Sequence, residues 1–437
     1  MILIYGKWHV GNWVGKLCDF LHIPYEMKSD EDVIDYSLYD TIIPSPWIPW
    51  THNIYTNQEL RKKIICELDF SFQFLPRWFK AISITGTDGK STTAWILYEL
   101  LRQEYGNEKV YLSGNFDIPF SETVCDILIN NKKKGYIVLE ISSFMSYAIG
   151  LNLYVYRKDS LRNSPFQSDY SIFTNFEKDH QNWHQDMQEY LDAKMNLMNH
   201  TTWTIVANQQ IITRSEELWL HCIFPENTRY IWENWNDRTD GENIIISGRK
   251  KYHLSETRFS GFHNAMNILA CTVITNSMKI CSKRTLEYLK NISWLPHRLE
   301  RVTLWNGITF IDDSKSTSAQ SLQAALQSFP KKNLLLIVGW SDKWDSFTHL
   351  WDVFTKKVLA VACIWATKDK FIQLATNSKI PYLATDNLKD AVSYLLKQAQ
   401  NGDILLLSPG CASFWLFRDY LDRANQFRSH IFTLTQP

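Results

Sequence analysis

Residues 81–101 read AISITGTDGKSTTAWILYELL, an apolar strand followed by a glycine-rich turn and a run with helical spacing. In such a turn, glycines allow backbone N–H groups to close on phosphate oxygens, and the helix dipole favours negative charge there. Lys90 would supply a cation for the β- and γ-phosphates, and Ser91 can bind Mg²⁺. The longer pattern G-x-x-x-x-G-K-S/T is not met, because Ile84 replaces its first glycine. A plain strand-to-helix turn with a surface lysine is the alternative, but the flanking elements favour an ATP site.

The same alternation of buried strands and helical segments continues through the chain. Short apolar runs recur at 1–5, 81–85, 135–141, 333–339, 360–366 and 403–408. Alternation of this kind is typical of parallel sheets that are covered by helices on both faces. We therefore predict an α/β protein.

Two breaks divide the chain into domains. At roughly 100 to 200 residues per domain, 437 residues favour more than one domain. Pro76 precedes a fresh strand, and Pro296 interrupts a helical pattern before the strand-like GITFIDDS at 307–314. We predict three domains, at 1–80, 81–295 and 296–437.

The composition is that of a globular protein and limits the partners. Hydrophobic residues make up 45% of the chain, and 46 Lys and Arg balance 46 Asp and Glu, so the basic field that non-specific nucleic-acid binding requires is missing. The eight cysteines form no C-x-x-C pair, which indicates reduced thiols. The N-terminus lacks signal-peptide features, and no apolar stretch could cross a membrane. We expect a cytoplasmic monomer with no nucleic-acid or membrane partner.

Two polar residues follow other strands and could face the same phosphates. Mg²⁺ between phosphates requires a hard oxygen ligand from the protein. Glu140, at the end of the strand in GYIVLEISSF (135–144), fits that role, although a carboxylate that favours a helix N-terminus is the alternative. Asn115, in LSGNF at 112–116, is a further candidate contact.

A histidine and a lysine follow a fourth strand. Asp179 and His180 come just after that strand, where doubly wound sheets gather their ligands. His180 and His184 are four residues apart, but Gln181 replaces the glutamate of H-E-x-x-H, so a metalloprotease would lack its general base. Lys194 lies in a helical segment, and the residues alone favour a lysine whose stem packs on the helix while its amine stays in water.

A series of motifs carries a family resemblance over nearly the whole chain, strongest from residue 81 onward. The motifs are TGTDGKST (85–92), EISSF (140–144), the DH and AK pairs at 179–180 and 193–194, GFHNAMN (261–267), LPHRLE (295–300) and DDSKSTS (312–318). With them the chain resembles the Mur ligases, the ATP-dependent amide-forming enzymes of peptidoglycan precursor synthesis. GWSDKWDSF (339–347) and LLSPGCASFWLFRDYLDRANQF (406–427) resemble the subfamily that adds D-glutamate to UDP-N-acetylmuramoyl-L-alanine.

The resemblance implies both an architecture and a reaction. It implies a Rossmann-like N-terminal domain for the UDP-linked substrate, a central P-loop ATPase-like α/β domain, and a C-terminal Rossmann-like α/β domain for the amino acid. ATP would phosphorylate the terminal carboxylate of the substrate. The amine of D-glutamate would then attack the acyl phosphate, and phosphate would leave.

The resemblance also assigns roles by motif position. Catalytic roles fall to Lys90, His180, Lys194 and Lys315. ATP would contact Gly86, Thr87, Asp88, Gly89, Lys90, Ser91, Thr92, Asn264, Asn267, Arg298 and Asp313. Mg²⁺ would be held by Ser91, Glu140, His180 and Lys194, with Lys194 carbamylated. The UDP-linked substrate would contact Gly6, His9, Val10, Ser45, Asn115 and Ser142. D-glutamate would contact His180, Lys315, Thr317, Lys343, Ser413 and Tyr420.

Departures from the family pattern keep other functions open. Trp8 and Trp47 stand where glycine is expected in the UDP-binding segments, and Asp88 replaces the usual asparagine of the phosphate loop. One alternative is an enzyme of the same fold that uses a different amino acid or substrate, such as a folylpolyglutamate-type ligase. Another is an ATP-binding homologue that has lost recognition of the UDP-linked substrate. Without the resemblance, Asn264 and Asn267 would be helix N-terminal polar groups, and Arg298 would be a linker ion pair.

Overall fold

The chain forms two compact units, Met1–Ile292 and Ser293–Pro437. The computed structural model describes residues 1–7, 9–115, 118–152, 161–180, 183–231, 236–246, 248, 250–257, 259, 261–292, 295–316, 319–340, 347, 350–411, 417 and 420–435. The predicted α/β class is confirmed by alternating helices and largely parallel sheets. The division near residue 80 and the bounds of the three predicted domains stay predictions.

The first unit begins with a small parallel sheet in the order β2-β1-β3. Its strands are β1 (Ile2–Tyr5), β2 (Tyr25–Lys28) and β3 (Thr41–Pro44). The helices that follow them are α1 (His9–Leu21), α2 (Asn53–Thr56), α3 (Gln58–Arg61) and α4 (Glu67–Phe72). Helix α1 approaches the end of β1 so closely that a Cβ on Gly11 would lie 2.1 Å from the carbonyl oxygen of Gly6.

A six-stranded, all-parallel sheet forms the centre of the first unit, in the order β5-β6-β4-β7-β8-β9. The strands are β4 (Trp78–Thr85), β5 (Val110–Gly114), β6 (Lys134–Glu140), β7 (Ser168–Phe173), β8 (Thr201–Asn208) and β9 (Thr228–Ile231). The helices are α5 (Lys90–Tyr105), α6 (Phe120–Ile129), α7 (Ser143–Tyr147), α8 (Met187–Asn199), α9 (Gln210–Glu217), α10 (Phe262–Ser277) and α11 (Ser282–Asn291). Alternate residues of β4 enter different cores, since Ala81 packs with residues of α6 and α8 whereas Ile82 packs with residues of α5 and α10.

A third sheet, three-stranded and antiparallel, lies before α10, where the sequence predicts no sheet. Its strands are β10 (Arg238–Thr239), β11 (Asn243–Ile246) and β12 (Lys250–His253). Ile244 and Ile246 of β11 are buried in the core that contains α10.

The second unit is built on a six-stranded sheet in the order β13-β14-β18-β15-β16-β17. The strands are β13 (Glu300–Trp305), β14 (Ile308–Asp312), β15 (Leu334–Gly339), β16 (Val358–Ile364), β17 (Tyr382–Thr385) and β18 (Ile404–Leu407). The helices are α12 (Ala319–Gln327), α13 (Trp351–Lys357), α14 (Lys368–Asn377), α15 (Leu388–Gln398) and α16 (Tyr420–Thr435). The sheet is mixed rather than purely parallel, because β13 pairs antiparallel with β14. Asn306 and Gly307 both have positive φ in the turn between these two strands, as a tight hairpin requires.

Two further features bear on the nature of the chain. Among the residues that the structure describes, no helix has both the length and the apolar character needed to cross a membrane. All eight cysteines are free thiols.

A buried carboxyl group joins α4 to α6 in the first unit. Glu67, the first residue of α4, is 3% exposed, and its Oε1 accepts a hydrogen bond from the backbone N–H of Ser121. Burial raises the pKa of Glu67 to about 7, although the bonds from Ser121 act in the opposite direction. The folded chain therefore keeps this proton at pH values where the unfolded chain has released it.

The substitution Glu67→Gln should change how stability depends on pH. Because the pKa of Glu67 is higher in the folded state, its contribution is fully present below the ordinary pKa of 4.5 and is lost as the pH rises through about 7. Glutamine still accepts the bond from Ser121 but cannot ionise. The variant should therefore gain stability relative to the wild type between about pH 5 and pH 8, by up to ~3 kcal/mol at about 1.4 kcal/mol per pKa unit.

Urea unfolding of both proteins across that pH range measures the difference. Glu31→Gln, which replaces an exposed carboxylate, is the control and should run parallel to the wild type. A difference between Glu67→Gln and wild type that stays constant with pH would contradict the assignment.

Candidate functional site

The turn between β4 and α5 has a backbone conformation that only glycine adopts easily. Gly86 has a φ of 146° and Gly89 a φ of 76°. A Cβ on Gly86 would lie 1.9 Å from the hydroxyl oxygen of Thr174, and one on Gly89 would lie 2.9 Å from Oδ1 of Asn267. Gly89 is the N-cap of α5 and Lys90 is its first residue. The turn therefore presents a helix N-terminus whose backbone N–H groups suit an anion.

Residues after β7 hold this turn in place. Oδ1 of Asn175 accepts hydrogen bonds from the backbone N–H groups of Thr87 and Asp88, at 3.1 Å and 2.8 Å. The hydroxyl of Thr174 donates to the carbonyl oxygen of Asp88 at 2.6 Å. The motifs in the sequence did not reveal Asn175 and Thr174, although both are polar residues directly after an apolar strand that neighbours β4.

Two lysine amines meet at one carbonyl oxygen. Nζ of Lys90 donates to the carbonyl oxygens of Gly86 and Thr87 at 3.0 Å and 2.6 Å. Nζ of Lys194, on α8, donates to the same Gly86 oxygen at 2.7 Å. Lys194 is 1% exposed, so the interpretation as a helix lysine with its amine in water is wrong. Burial, and next the charge of Lys90, lower the pKa of Lys194 well below its ordinary value.

Tyr190 lies one helical turn before Lys194 and connects it to the phosphate loop. Nζ of Lys194 lies 4.4 Å from the centre of the Tyr190 ring, and the Tyr190 hydroxyl is 3.1 Å from Oγ1 of Thr87. Tyr190 is also absent from the residues that the sequence motifs predict. Its spacing of four residues from Lys194 is the signal that could have identified it.

Oxygen atoms suited to a metal lie at the ends of two neighbouring strands. Glu140 ends β6 and is 2% exposed, and its Oε1 accepts a bond from Nδ2 of Asn115 at 2.8 Å. Among the described residues, neither Oε2 of Glu140 nor Oγ1 of Thr85, at the end of β4, has a hydrogen-bond partner. Ser91 is also buried, in the first turn of α5. Buried oxygens without partners are unusual, and this donor set fits Mg²⁺.

The two histidines after β7 have different surroundings. Nε2 of His180 lies 3.3 Å from a carboxylate oxygen of Asp179, and its ring packs 4.7 Å from that of Phe144. His184 is buried, and its Nε2 lies 2.9 Å from the hydroxyl of Ser143. Burial lowers the pKa of His184 to about 3, so its ring is neutral. His184 therefore serves the packing between α7 and the segment before α8.

The predicted UDP-binding residues surround the ends of β1, β3, β5 and β6. Ser45 follows β3; its backbone N–H donates to the carbonyl of Tyr5 at 2.9 Å, while its buried hydroxyl has no partner among the described residues. His9 begins α1 and lies 3.8 Å from Glu122 of α6. The remaining members are Gly6 at the end of β1, Val10 in α1, Asn115 after β5, and Ser142, whose hydroxyl caps α7.

Two tryptophans stand where the resemblance predicts glycine in the UDP-binding segments. Trp47 is 63% exposed, and its ring lies 5.6 Å from that of Phe144. Trp8 lies outside the described residues.

The second unit carries the remaining predicted residues. Asp313 is 4% exposed and accepts bonds from the hydroxyl of Ser408 at 2.7 Å and the N–H of Leu299 at 3.1 Å. Burial raises the pKa of Asp313 to about 7, and Arg298 is among the groups that oppose this shift. Thr317, Lys343 and Ser413, predicted to bind D-glutamate, lie outside the described residues.

Lys315 and Tyr420 are neighbours in this unit. Nζ of Lys315 lies 5.3 Å from the centre of the Tyr420 ring, and its backbone N–H donates to the carbonyl of His297 at 3.1 Å.

An arginine forms ion pairs with a cluster of potential metal ligands in the second unit. His297, Glu300 and Asp312 place ligand atoms within 4.8 Å of one another. Arg428 donates to carboxylate oxygens of Glu300 and Asp312 at 2.6 Å and 2.9 Å. The cluster is therefore an ion-pair network.

Comparison with known proteins places this geometry in a family. The model of the Mur ligase middle domain matches residues 84–275, and that of the Mur ligase glutamate ligase domain matches residues 297–411. The chain belongs to the Mur ligase family. Similar proteins named UDP-N-acetylmuramoylalanine--D-glutamate ligase include one from Aquifex aeolicus, 28% identical over 89% of this chain and 87% of the relative, and one from Natranaerobius thermophilus, 29% identical over 94% and 88%.

Solved structures of Mur ligases show the same fold. UDP-N-acetylmuramate-alanine ligase MurC from Thermotoga maritima covers 99% of both chains with a TM-score of 0.60 and 14% identity. The MurF ligase of Thermotoga maritima, in complex with ADP, has a TM-score of 0.58 at 14% identity and covers 99% of this chain and 95% of its own.

Asn175→Ala should weaken ATP binding in this Mur ligase. The change removes the acceptor of the Asp88 N–H, while the Thr87 N–H keeps its second acceptor, the backbone carbonyl of Asn175, so the loop should lose part of its fixed shape. We expect the KM for ATP to rise by up to roughly tenfold, since the net loss of a hydrogen bond costs about 0.5 to 1.5 kcal/mol.

Asn208→Ala is the matched control. Asn208 ends the next strand, β8, is 6% exposed, and accepts a bond from the N–H of Gln210 at 3.0 Å. This variant should lose stability while the KM for ATP stays within about twofold of wild type. Equal changes in both variants would show that Asn175 has no special link to ATP.

Proposed function

We propose that the chain is an ATP-dependent ligase that adds D-glutamate to UDP-N-acetylmuramoyl-L-alanine during peptidoglycan precursor synthesis, acting as a monomer in the cytoplasm. The observation that carries the proposal is the meeting of Lys90 and buried Lys194 at the carbonyl of Gly86, one strand away from Glu140. The names of the similar proteins support the choice of amino acid and of the UDP-linked substrate.

The phosphate loop would bind the triphosphate of ATP. The backbone N–H groups at the start of α5 would face the phosphates, and Lys90 adds a positive charge. The amine of Lys90 donates to two carbonyl oxygens of the loop, and a γ-phosphate would replace these acceptors with a stronger, charged partner. Asn264 and Asn267 on α10 would add further ATP contacts, and the position of Asn267 supports this, because a Cβ on Gly89 would lie 2.9 Å from its Oδ1.

The oxygen-rich strand ends would hold Mg²⁺. Glu140 and Ser91 are the proposed ligands beside the β- and γ-phosphates. Oε2 of Glu140 has no hydrogen-bond partner in the part of the chain that the structure describes, which supports this assignment. When bound, Mg²⁺ neutralises phosphate charge during phosphoryl transfer. Asn115 would orient Glu140, since its amide already donates to Oε1 of that carboxylate.

Lys194 would act as a carbamate beside His180. An amine must be neutral to react with CO₂, and burial favours the neutral amine of Lys194. The carbamate nitrogen keeps one N–H, which can still donate to the carbonyl of Gly86. The modified lysine then offers carboxylate-like oxygens for a second Mg²⁺, which His180 would also contact.

The chain's own groups would then serve two transfers. A carboxylate is a poor electrophile, so its oxygen first attacks the γ-phosphorus of ATP and ADP leaves. The amine of D-glutamate next attacks the carbonyl carbon of the acyl phosphate, loses a proton, and phosphate leaves. Lys90 would stabilise the charge that develops on the transferred phosphoryl group.

Lys315 and Tyr420 would contact D-glutamate. Two carboxylates require cations and hydroxyl or backbone donors, and Lys315 and the Tyr420 hydroxyl provide both kinds. Thr317, Lys343 and Ser413 complete this proposed set. Arg298 and Asp313 would complete the ATP contacts.

A coupled assay tests the function. Purified protein should release phosphate from ATP only when UDP-N-acetylmuramoyl-L-alanine and D-glutamate are both present. L-glutamate and D-aspartate should be poor substitutes, because fixed donors reject a misplaced carboxylate. Equal activity with another amino acid would assign the chain to a different ligase. Phosphate release that ignores the UDP-linked substrate would indicate a homologue without that specificity.

Lys194→Ala should be nearly inactive and partly rescued by acetate. The loss should reach roughly a hundredfold or more, the usual effect of removing a group that stabilises charge in the transition state. Acetate can occupy the space of the lost carbamate and restore a metal ligand.

The matched control is Lys90→Ala, which should be equally inactive but insensitive to acetate, because an anion cannot replace a phosphate-binding cation. A mass increase of about 44 Da on the wild-type chain, which is the mass of CO₂ added to the neutral amine, would be independent support. Full activity of Lys194→Ala without additive would refute the role.

A further inference from the structure

A fully buried arginine contacts three separate segments of the second unit. Arg423 of α16 has 0% exposure. Its Nη2 donates to the carbonyl oxygen of Ser314 at 2.6 Å, and its Nη1 donates to that of Cys411 at 3.2 Å. The central carbon of its guanidinium lies 4.8 Å from the centre of the Trp340 ring. One side chain therefore joins the ends of β14, β15 and β18.

These three segments lead to the residues that we propose bind D-glutamate. Ser314 directly precedes Lys315, Cys411 precedes Ser413 by two residues, and Trp340 precedes Lys343 by three. Tyr420 lies one helical turn before Arg423 on α16. The guanidinium is thus the shared anchor for Lys315 and Tyr420, whose side chains already lie together.

Trp340, which packs against the Arg423 guanidinium, has a strained backbone conformation. Trp340 has a φ of 143°, which is strained for a bulky residue, and it is fully buried. The hydroxyl of Thr367 accepts a hydrogen bond from the backbone N–H of Trp340 at 3.0 Å and donates to its carbonyl oxygen at 3.2 Å. Thr367 on one side and Arg423 on the other therefore hold Trp340, the first residue after β15.

Burying the positive charge of Arg423 costs free energy, so the geometry of the guanidinium must explain why an arginine is found here. Burial lowers the pKa of Arg423 to about 9, although Cys411, Asp312 and Asp313 oppose the shift. A lysine would carry the same charge, but only the planar guanidinium can donate to two carbonyls while stacking on an aromatic ring.

We propose that Arg423 is a positioning residue for the acceptor amino acid. It fixes the backbone of Ser314 and Cys411 relative to Tyr420, so that the groups that bind the amino-acid carboxylates converge. The role rests on the proposed function, because it concerns the same acceptor site. It is not a catalytic role, since the buried guanidinium is directed at main-chain oxygens.

Arg423→Lys separates positioning from charge. The variant keeps the cation but cannot bridge both carbonyls. We expect the KM for D-glutamate to rise roughly tenfold or more, which corresponds to about 1.4 kcal/mol per factor of ten. The KM values for ATP and for the UDP-linked substrate should stay within about twofold of wild type.

Arg428→Lys is the matched control on the same helix. Arg428 donates to carboxylates of Glu300 and Asp312 rather than to these carbonyls, so its loss should lower the melting temperature and leave the KM for D-glutamate unchanged. If Arg423→Lys lowers only the amount of active enzyme, with every KM unchanged, the residue is merely structural and the proposal fails. The proposal also fails if all three KM values rise together.

Trp340→Phe is a second variant that changes the surroundings of the Arg423 guanidinium. If Arg423→Lys does not fold, Trp340→Phe leaves a smaller ring beside the guanidinium, and a selective rise in the KM for D-glutamate is again expected. An unchanged KM in a folded Trp340→Phe would then overturn the proposal. The wild type is assayed first. If it prefers another amino acid, the proposed function is wrong. The effect of Arg423→Lys on KM is then measured with that amino acid, which tests the positioning role separately.

Discussion

Two amines share one carbonyl oxygen at Gly86, and the architecture of the first unit depends on that contact. Lys90 and Lys194 approach this oxygen to 3.0 Å and 2.7 Å. The oxygen can point at both because Gly86 adopts a φ of 146°, which a side chain would prevent by colliding with Thr174. Lys194 is fully buried and Lys90 only partly, so burial, and next the charge of Lys90, lower the pKa of Lys194 and favour its neutral amine. A glycine conformation would thereby prepare Lys194 for the carbamylation that we propose.

The parallel sheet divides its polar residues into two groups. Asn175 and Thr174 use their side chains to hold the phosphate loop. Glu140 and Thr85 instead keep buried oxygens that have no partner among the described residues. Both groups lie at carboxyl ends of neighbouring strands, where the fold gathers side chains from distant parts of the sequence. The metal site that we propose would need both rigid support and an unsatisfied oxygen, because a ligand that could move would form its own hydrogen bonds.

The sequence predicted the strongly patterned parts of this arrangement. The apolar strand runs, the loop after β4, and Glu140 all carry local signals. The antiparallel strand β13 was missed, although the Asn306-Gly307 turn is a hairpin signal, because the neighbouring Pro296 indicated a domain boundary instead. Asn175 was missed because its role depends on β7 lying beside β4, a pairing between residues about ninety positions apart. Burial of Lys194 is likewise a tertiary property, and the residues alone favoured the opposite interpretation. The roles assigned to the site residues stay predictions.

Helix α16 shows how the partner, rather than the residue type, sets the behaviour of a buried charge. Burial alone would lower the pKa of Arg428, but its bonds to Glu300 and Asp312 outweigh burial and raise that pKa. Arg423 donates to carbonyl oxygens instead, and burial lowers its pKa. Asp312 and Asp313 form the parallel case, because hydrogen bonds from His297 and Ser314 overcome burial and lower the pKa of Asp312, whereas burial raises that of Asp313. In an ion pair each charge offsets the cost of burying the other, so the pair stabilises the local structure around it. When a guanidinium donates to neutral carbonyls, less of the cost of burying its charge is offset. Its partners are also more restricted in position, because two oxygens and an aromatic ring must all be placed around one planar group. The burial of Arg423 is less well compensated than that of Arg428, which fits the positioning role that we propose for Arg423.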